Sequence, residues 1–322
     1  MLLQRASTAP LKSGDDVNNP SLSLFLAACL FAGLALSPGN AQGQPATAAT
    51  ALVSAPTGSD RASMQTMQIP SHGALMNALV YVAAGAGPHP AAILLHGFPG
   101  NERNLDLAQD MRRAGWDVLY FNYRGSWGTP GNFSFAHSIE DTAAALAYLR
   151  QPSVAKKLRL DPARIVLIGH SMGGFMTVEA AAADPAIKAF ATISAADMAW
   201  HAQQLVDKDG KAGGMAAMST GLADEGMAPL SGTSPHALAR ELIEHAPDWV
   251  FPSRVDALKR RTALIVTSDD GLAPENEAFA ADLRKAGDTH VTTVHLPTDH
   301  VYSDQRRELS KAVLKWLAGL PK

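Results

Sequence analysis

Beyond Met64, short apolar runs alternate with segments of helical spacing. Residues 76–83 and 91–95 read as strands separated by the turn at 85–88. Residues 103–114 space their apolar positions for a helix, and Gly115 is placed to stop it. Further strands are predicted over 117–123, 165–168, 188–194, 262–267 and 291–295. Further helices are predicted over 138–150, 172–183, 274–286 and 304–318, with Ser138 and Asp141 matching a capping box. Short apolar strands alternating with helices imply βαβ units. The expected fold class is therefore α/β, with a mainly parallel central sheet and helices on both faces.

Residues 197–258 break this rhythm. Only 235–246 shows an amphipathic helical pattern, and 209–232 is rich in Gly, Met and Ala. A connection of this length is usually functional, so it reads as a cap over a site at the carboxyl end of the sheet. Trp200, Met215, Met218, Met227 and Trp249 would either face a substrate or pack the cap onto the body.

The N-terminal part is a different kind of sequence. Residues 17–59 carry no charge, and 22–36 form an apolar run of 15 residues, short of the roughly 20 that span a bilayer. Arg5 and Lys12 precede it, and Gly39 and Ala41 place small residues before Gln42. Residues 1–41 thus read as a secretory signal peptide for export to the periplasm or medium. Residues 42–62 read as a flexible leader, and 63–322 as the folded domain. Leu26 to Cys29 also fits a lipoprotein box, so membrane association would follow only if this segment were lipidated or retained.

With 47% hydrophobic and 18% charged residues, the composition is globular. The net charge of −3 supplies no basic excess for nucleic acid. A single cysteine precludes an internal disulfide and a multi-cysteine zinc site. No HExxH motif and no phosphate-binding glycine loop with a lysine occurs. No cofactor and no metal are expected.

Gly169-His170-Ser171-Met172-Gly173 follows the 165–168 strand and opens the 172–183 helix. A serine on such a strand-to-helix turn is forced into strained backbone geometry and lifted above the sheet, as a nucleophile elbow requires. Gly169 and Gly173 are needed where side chains would strike neighbouring backbone. With His96-Gly97-Phe98-Pro99-Gly100 and Asn122-Tyr123-Arg124-Gly125, this motif makes the chain resemble serine hydrolases of the α/β-hydrolase superfamily from about Met64 onward. The chain also resembles the branch shared by prolyl-oligopeptidase-like enzymes, dienelactone-hydrolase-like enzymes and small bacterial esterases.

The resemblance implies an oxyanion hole made by the backbone N–H groups of Phe98 and Met172, with Gly97 in the loop that carries the first. It also implies the chain order Ser, acid, His. The acid follows the 262–267 strand, where Asp269 and Asp270 compete; Pro274, opening the next helix, favours Asp270. His300, in the loop before the last helix, is the base candidate, and His295, inside a strand and expected to face the core or a helix, is its rival. His96 reads as a buttress of its loop. The remaining histidines, His170 and His201 among them, read as surface or supporting groups. Arg124, Trp127 and Trp200 are pocket candidates, although Arg124 would equally anchor to a buried acid.

The expected activity is hydrolysis of a small carboxylic ester through Ser171, Asp270 and His300. A short peptide or amide is the second substrate class, and a non-catalytic binding scaffold is the alternative of another kind.

Overall fold

The structure is a computed structural model that describes residues 58–321. The signal-peptide and lipoprotein assignments, and most of the leader, fall outside the described residues.

Eight strands form a single sheet: β1 (Ser63–Ser71), β2 (Ala74–Val82), β3 (His89–Leu95), β4 (Asp117–Phe121), β5 (Leu160–His170), β6 (Ala189–Ile193), β7 (Thr262–Thr267) and β8 (Val291–His295). Their order is β1-β2-β4-β3-β5-β6-β7-β8. β1–β2 and β2–β4 pair antiparallel, and all other neighbours pair parallel. The helices are α1 (Leu105–Arg113), α2 (Phe135–Leu149), α3 (Pro152–Leu158), α4 (Met172–Ala183), α5 (Met198–Asp224), α6 (Pro235–His245), α7 (Phe251–Leu258), α8 (Ala273–Lys285) and α9 (Arg306–Ala318).

The unbroken apolar strands are explained by two cores. In β3, Ala91, Ile93 and Leu95 enter one and Ala92 and Leu94 the other, because successive side chains alternate faces. Leu146 of α2, Phe175 of α4 and Phe279 of α8 fill the first core. Met111 of α1 and Val313 of α9 fill the second.

Four elements were not anticipated: β1, α3, α7 and α5. β1 is an edge strand whose exposed positions are Met64, Thr66, Gln68 and Pro70, and α3 and α7 are only two turns long. In the insertion, the Gly-, Met- and Ala-rich stretch continues α5 beyond a kink at Gly210 (φ 73°). Buried Met218 and Leu222 of α5 share a core with Leu238 and Leu242 of α6.

The capping-box expectation is corrected. α2 starts at Phe135, whose ring is fully buried, and Ser134 is its N-cap, accepting from His137 N–H at 3.0 Å. Ser138 lies inside the helix and donates to the Ser134 carbonyl. Asp141 is buried and accepts from Ser71 Oγ (2.6 Å), the Arg124 backbone N–H (2.7 Å) and Arg124 Nε (2.6 Å). Arg124 is therefore an anchor between a strand end and α2, with Glu140 as a second partner. Asp141→Ala would leave the buried guanidinium short of its main partner. The expected loss is about 3–5 kcal/mol, read as a lower urea midpoint; an unchanged midpoint would mean that Glu140 alone satisfies Arg124.

Candidate active site

Ser171 sits between β5 and α4 with φ 56° and ψ −124°. That region is strained for any residue with a side chain. Three hydrogen bonds hold it there. Ser171 N–H donates to the Ile193 carbonyl (3.0 Å), and its own carbonyl accepts from Gly174 (2.8 Å) and Ala196 (3.1 Å).

The glycines around it answer to close approach. A Cβ on Gly169 would overlap the Gly173 carbonyl, and one on Gly173 would overlap the Leu95 carbonyl. A Cβ on Gly97 would stand 2.9 Å from Ser171 Cβ. The N–H groups of Phe98 and Met172 have no acceptor among the described residues. Met172 begins α4, so its N–H belongs to the positive end of a helix.

His300 Nδ1 lies 2.7 Å from Asp270 Oδ2. Burial by itself would raise the Asp270 carboxyl. Hydrogen bonds from His300, the Leu272 N–H and Ser194 outweigh it and hold the group at about 2. Ser194 Oγ also bonds Tyr302 Oη (2.8 Å) and Ser268 Oγ (3.0 Å), all buried.

The rival pair is elsewhere. Asp269 Oδ1 meets His295 Nε2 at 3.1 Å, with both side chains largely exposed, and Thr267 Oγ1 lies 3.0 Å from His295 Nδ1. His295 thus stands on the open edge strand β8, not against the core or a helix. Asp269 neither caps α8 nor stands free.

His170 is not a surface group. It is buried, and its Nε2–H donates to the His300 backbone carbonyl at 2.8 Å. Burial, with His300 adding to it, lowers it to about 3, so it stays neutral at neutral pH. His96 is also buried, lowered to about 4 by desolvation, and its Nδ1–H bonds the Gly97 carbonyl.

Ser171, His300, Phe98 and His170 line a cavity of about 500 Å³, closed on one side by residues of α5. Arg124, Trp127 and Trp200 do not line it. Trp127 donates Nε1–H to the Pro99 carbonyl (2.8 Å) under the Arg103 guanidinium and supports the glycine loop from outside. Trp200 faces solvent, while His201, one position or about 100° further round the helix, faces the cavity. Among the described residues no three His, Cys, Asp or Glu side chains gather into a metal-holding group.

His201 was not anticipated as a lining residue, nor was the cluster behind it. His201 Nε2 pairs with Glu275 Oε2 (2.9 Å), and Glu275 Oε1 accepts from the Asp197 N–H. Asp197 caps α5 through Trp200 N–H and also accepts from Phe251 N–H (2.9 Å). These contacts join residues up to 78 positions apart, so no local pattern announces them.

A mainly parallel sheet covered on both faces, with a serine on the turn leaving a central strand, defines a class of hydrolase-like folds. The model of the alpha/beta hydrolase family matches residues 92–312, and the chain belongs to that family. Two uncharacterized proteins of Mycobacterium tuberculosis are 33% identical over 106 residues, 33% of this chain and 35% of each relative. The chain thus spans about a third of the length of these curated relatives.

Solved structures share the fold. A thermostable carboxyl esterase of Bacillus coagulans, in complex with glycerol, superposes with TM-score 0.61 and 15% identity over 80% of this chain and 98% of that one. Est1E of Butyrivibrio proteoclasticus with ferulic acid bound gives 0.57 and 20%, over 78% and 98%. An acylaminoacyl peptidase of Pyrococcus horikoshii gives 0.58 and 16%, over 81% of this chain and 42% of that one.

Burial raises the Asp197 carboxyl to about 7, against its two backbone donors and with Glu275 adding to the rise. The folded state therefore holds a proton that the unfolded chain releases near pH 4. The stability this contributes is full below pH 4 and lost as pH rises through 7. Asp197→Asn should remove that part of the slope, so that the wild-type urea midpoint falls more steeply than the variant's between pH 5 and 8. Parallel slopes would contradict the assignment.

Proposed function

We propose that the protein is a serine hydrolase of small carboxylic esters, with Ser171 as nucleophile, His300 as general base and Asp270 as the orienting acid. The observation that carries this reading is the 2.7 Å contact between His300 and a buried, ionised Asp270, beside a cavity that Ser171 also lines.

Imidazole suits the base because its ordinary pKa lies near neutrality. His300 Nδ1–H donates to Asp270, which leaves Nε2 free to take the Ser171 proton as Oγ attacks the ester carbonyl. Asp270 keeps that tautomer and stabilises the imidazolium that forms. The tetrahedral oxyanion would be met by the free N–H groups of Phe98 and Met172. His300 returns the proton to the leaving alcohol, and water, deprotonated by His300, then cleaves the acyl-enzyme and restores Ser171.

The likeness in fold to carboxyl esterases supports an ester as substrate. The likeness to an acylaminoacyl peptidase supports a second reading, a small peptidase acting through the same groups.

Fluorophosphonate labelling followed by peptide mapping tests the nucleophile, with one adduct expected on Ser171. Ser171→Ala should lower turnover of p-nitrophenyl esters by about 10⁴–10⁶-fold with an unchanged circular dichroism spectrum. Near-wild-type turnover would remove the triad, and faster cleavage of peptide anilides than of esters would favour the peptidase. Folded protein that takes no label would point to a binding scaffold. Asp270→Asn should be far more damaging than Asp269→Asn; the reverse order would move the acid to Asp269.

A further inference from the structure

Helix α5 turns one face toward the cavity. Met218, Gly221, Leu222 and Glu225, at spacings of three, four and seven residues, all line it. Gly221 is the odd member of this face. Its backbone is helical, since the one non-helical residue inside α5 is Gly210. A Cβ at Gly221 would meet no atom within 4 Å.

The other glycines of α5 have local reasons. Gly210 makes the kink at positive φ. A Cβ on Gly213 would stand 2.8 Å from Asp209 Cβ, and one on Gly214 would stand 2.6 Å from the Val206 backbone. Gly221 has neither a strained dihedral nor a close neighbour. Glycine is the poorest helix former after proline, so alanine there would make the helix firmer. What glycine preserves at this position is empty space in the cavity.

We infer that Gly221 sets the size of the substrate pocket, leaving room between Met218 and Leu222 for a bulky apolar group of the ester. The inference rests on the ester-hydrolase reading and adds the substrate class, esters carrying a medium-chain or aryl group rather than acetate alone. The surrounding wall fits such a group, since Met198, Met218, Leu222 and Leu272 all line the cavity. Its volume of about 500 Å³ lies within the usual range for small-molecule sites of about 300–1,000 Å³. Glu225, at the end of the same face, lines this cavity together with Ser171 and His300. That places the filled space next to the reacting centre.

The test compares wild type with Gly221→Ala and Gly221→Leu on p-nitrophenyl acetate against octanoate for the acyl side, and on ethyl against benzyl acetate for the alcohol side. Gly221→Leu should lower the ratio of kcat/KM for the bulky member to that for the small member of one series by about 10–100-fold. Gly221→Ala should show a smaller change in the same direction and raise the melting temperature by about 2–4 °C, which keeps the test valid if the leucine variant folds poorly. The series that responds identifies which side of the ester lies along α5. Equal losses on small and bulky esters, or no loss on either, would overturn the inference while leaving the ester-hydrolase reading intact. A wild-type protein that cleaves none of these esters would overturn that reading and this inference with it.

Discussion

Three backbone segments meet around Ser171, and the geometry of the cavity depends on that meeting. The end of β3, the end of β5 and the first turn of α4 approach so closely that Gly169 and Gly173 have no room for a Cβ. Only this crowding, with hydrogen bonds from β6 and from α4, keeps a non-glycine residue at φ 56°. A backbone outlier of this kind costs about 1–3 kcal/mol and persists where the surroundings over-determine it. Seven non-glycine residues among those described have positive φ, and Ser171, Ser194 and Tyr302 of that set surround the site.

Burial does different things to the ionisable groups of this region. His170 and His96 find single backbone acceptors, and desolvation keeps them neutral. The Asp270 side chain is also covered, but its donors include an imidazole, a backbone N–H and a hydroxyl, and it remains charged. Asp197 has only backbone donors and lies near Glu275, so its proton is held. The pair Asp269–His295 has the same chemistry as Asp270–His300 but stands in solvent, where such a contact is worth little. What separates the two pairs is burial, the Asp270 side chain being covered and that of Asp269 exposed.

The insertion follows the same logic at larger scale. α5 is two helical segments joined at the kink at Gly210, and buried Met218 and Leu222 of the second share a core with α6. Its start is fixed by Asp197, which holds the first turns of α5 and α7 together. The rotation set there turns His201 inward and Trp200 outward. The far end of the helix then brings Met218, Gly221 and Leu222 over the cavity.

Much of this protein was legible along the chain. The strand–Ser171–helix turn could be read because its constraints lie within a few residues. The inner parallel strands were legible because burial on both faces leaves an unbroken apolar run. Asp270 was singled out by its offset from Pro274, and His300 by chain order. Other features carried no local mark. α5 is rich in Ala, Gly and Met and lacks the polar contrast that reveals a helix face. β1, α3 and α7 are an edge strand and two very short helices, with little periodicity to read. The pairing of Asp269 with His295, the anchoring of Arg124 by Asp141, and the inward turn of His201 all depend on partners 17 to 78 residues away. Sequence by itself determined most of the elements, the fold class and the strand–Ser171–helix turn, because dihedral preference and periodic burial act over short distances. Tertiary structure alone decided which charges are paired, which are buried and which side chains line the cavity, because those depend on long-range packing that a linear pattern does not encode.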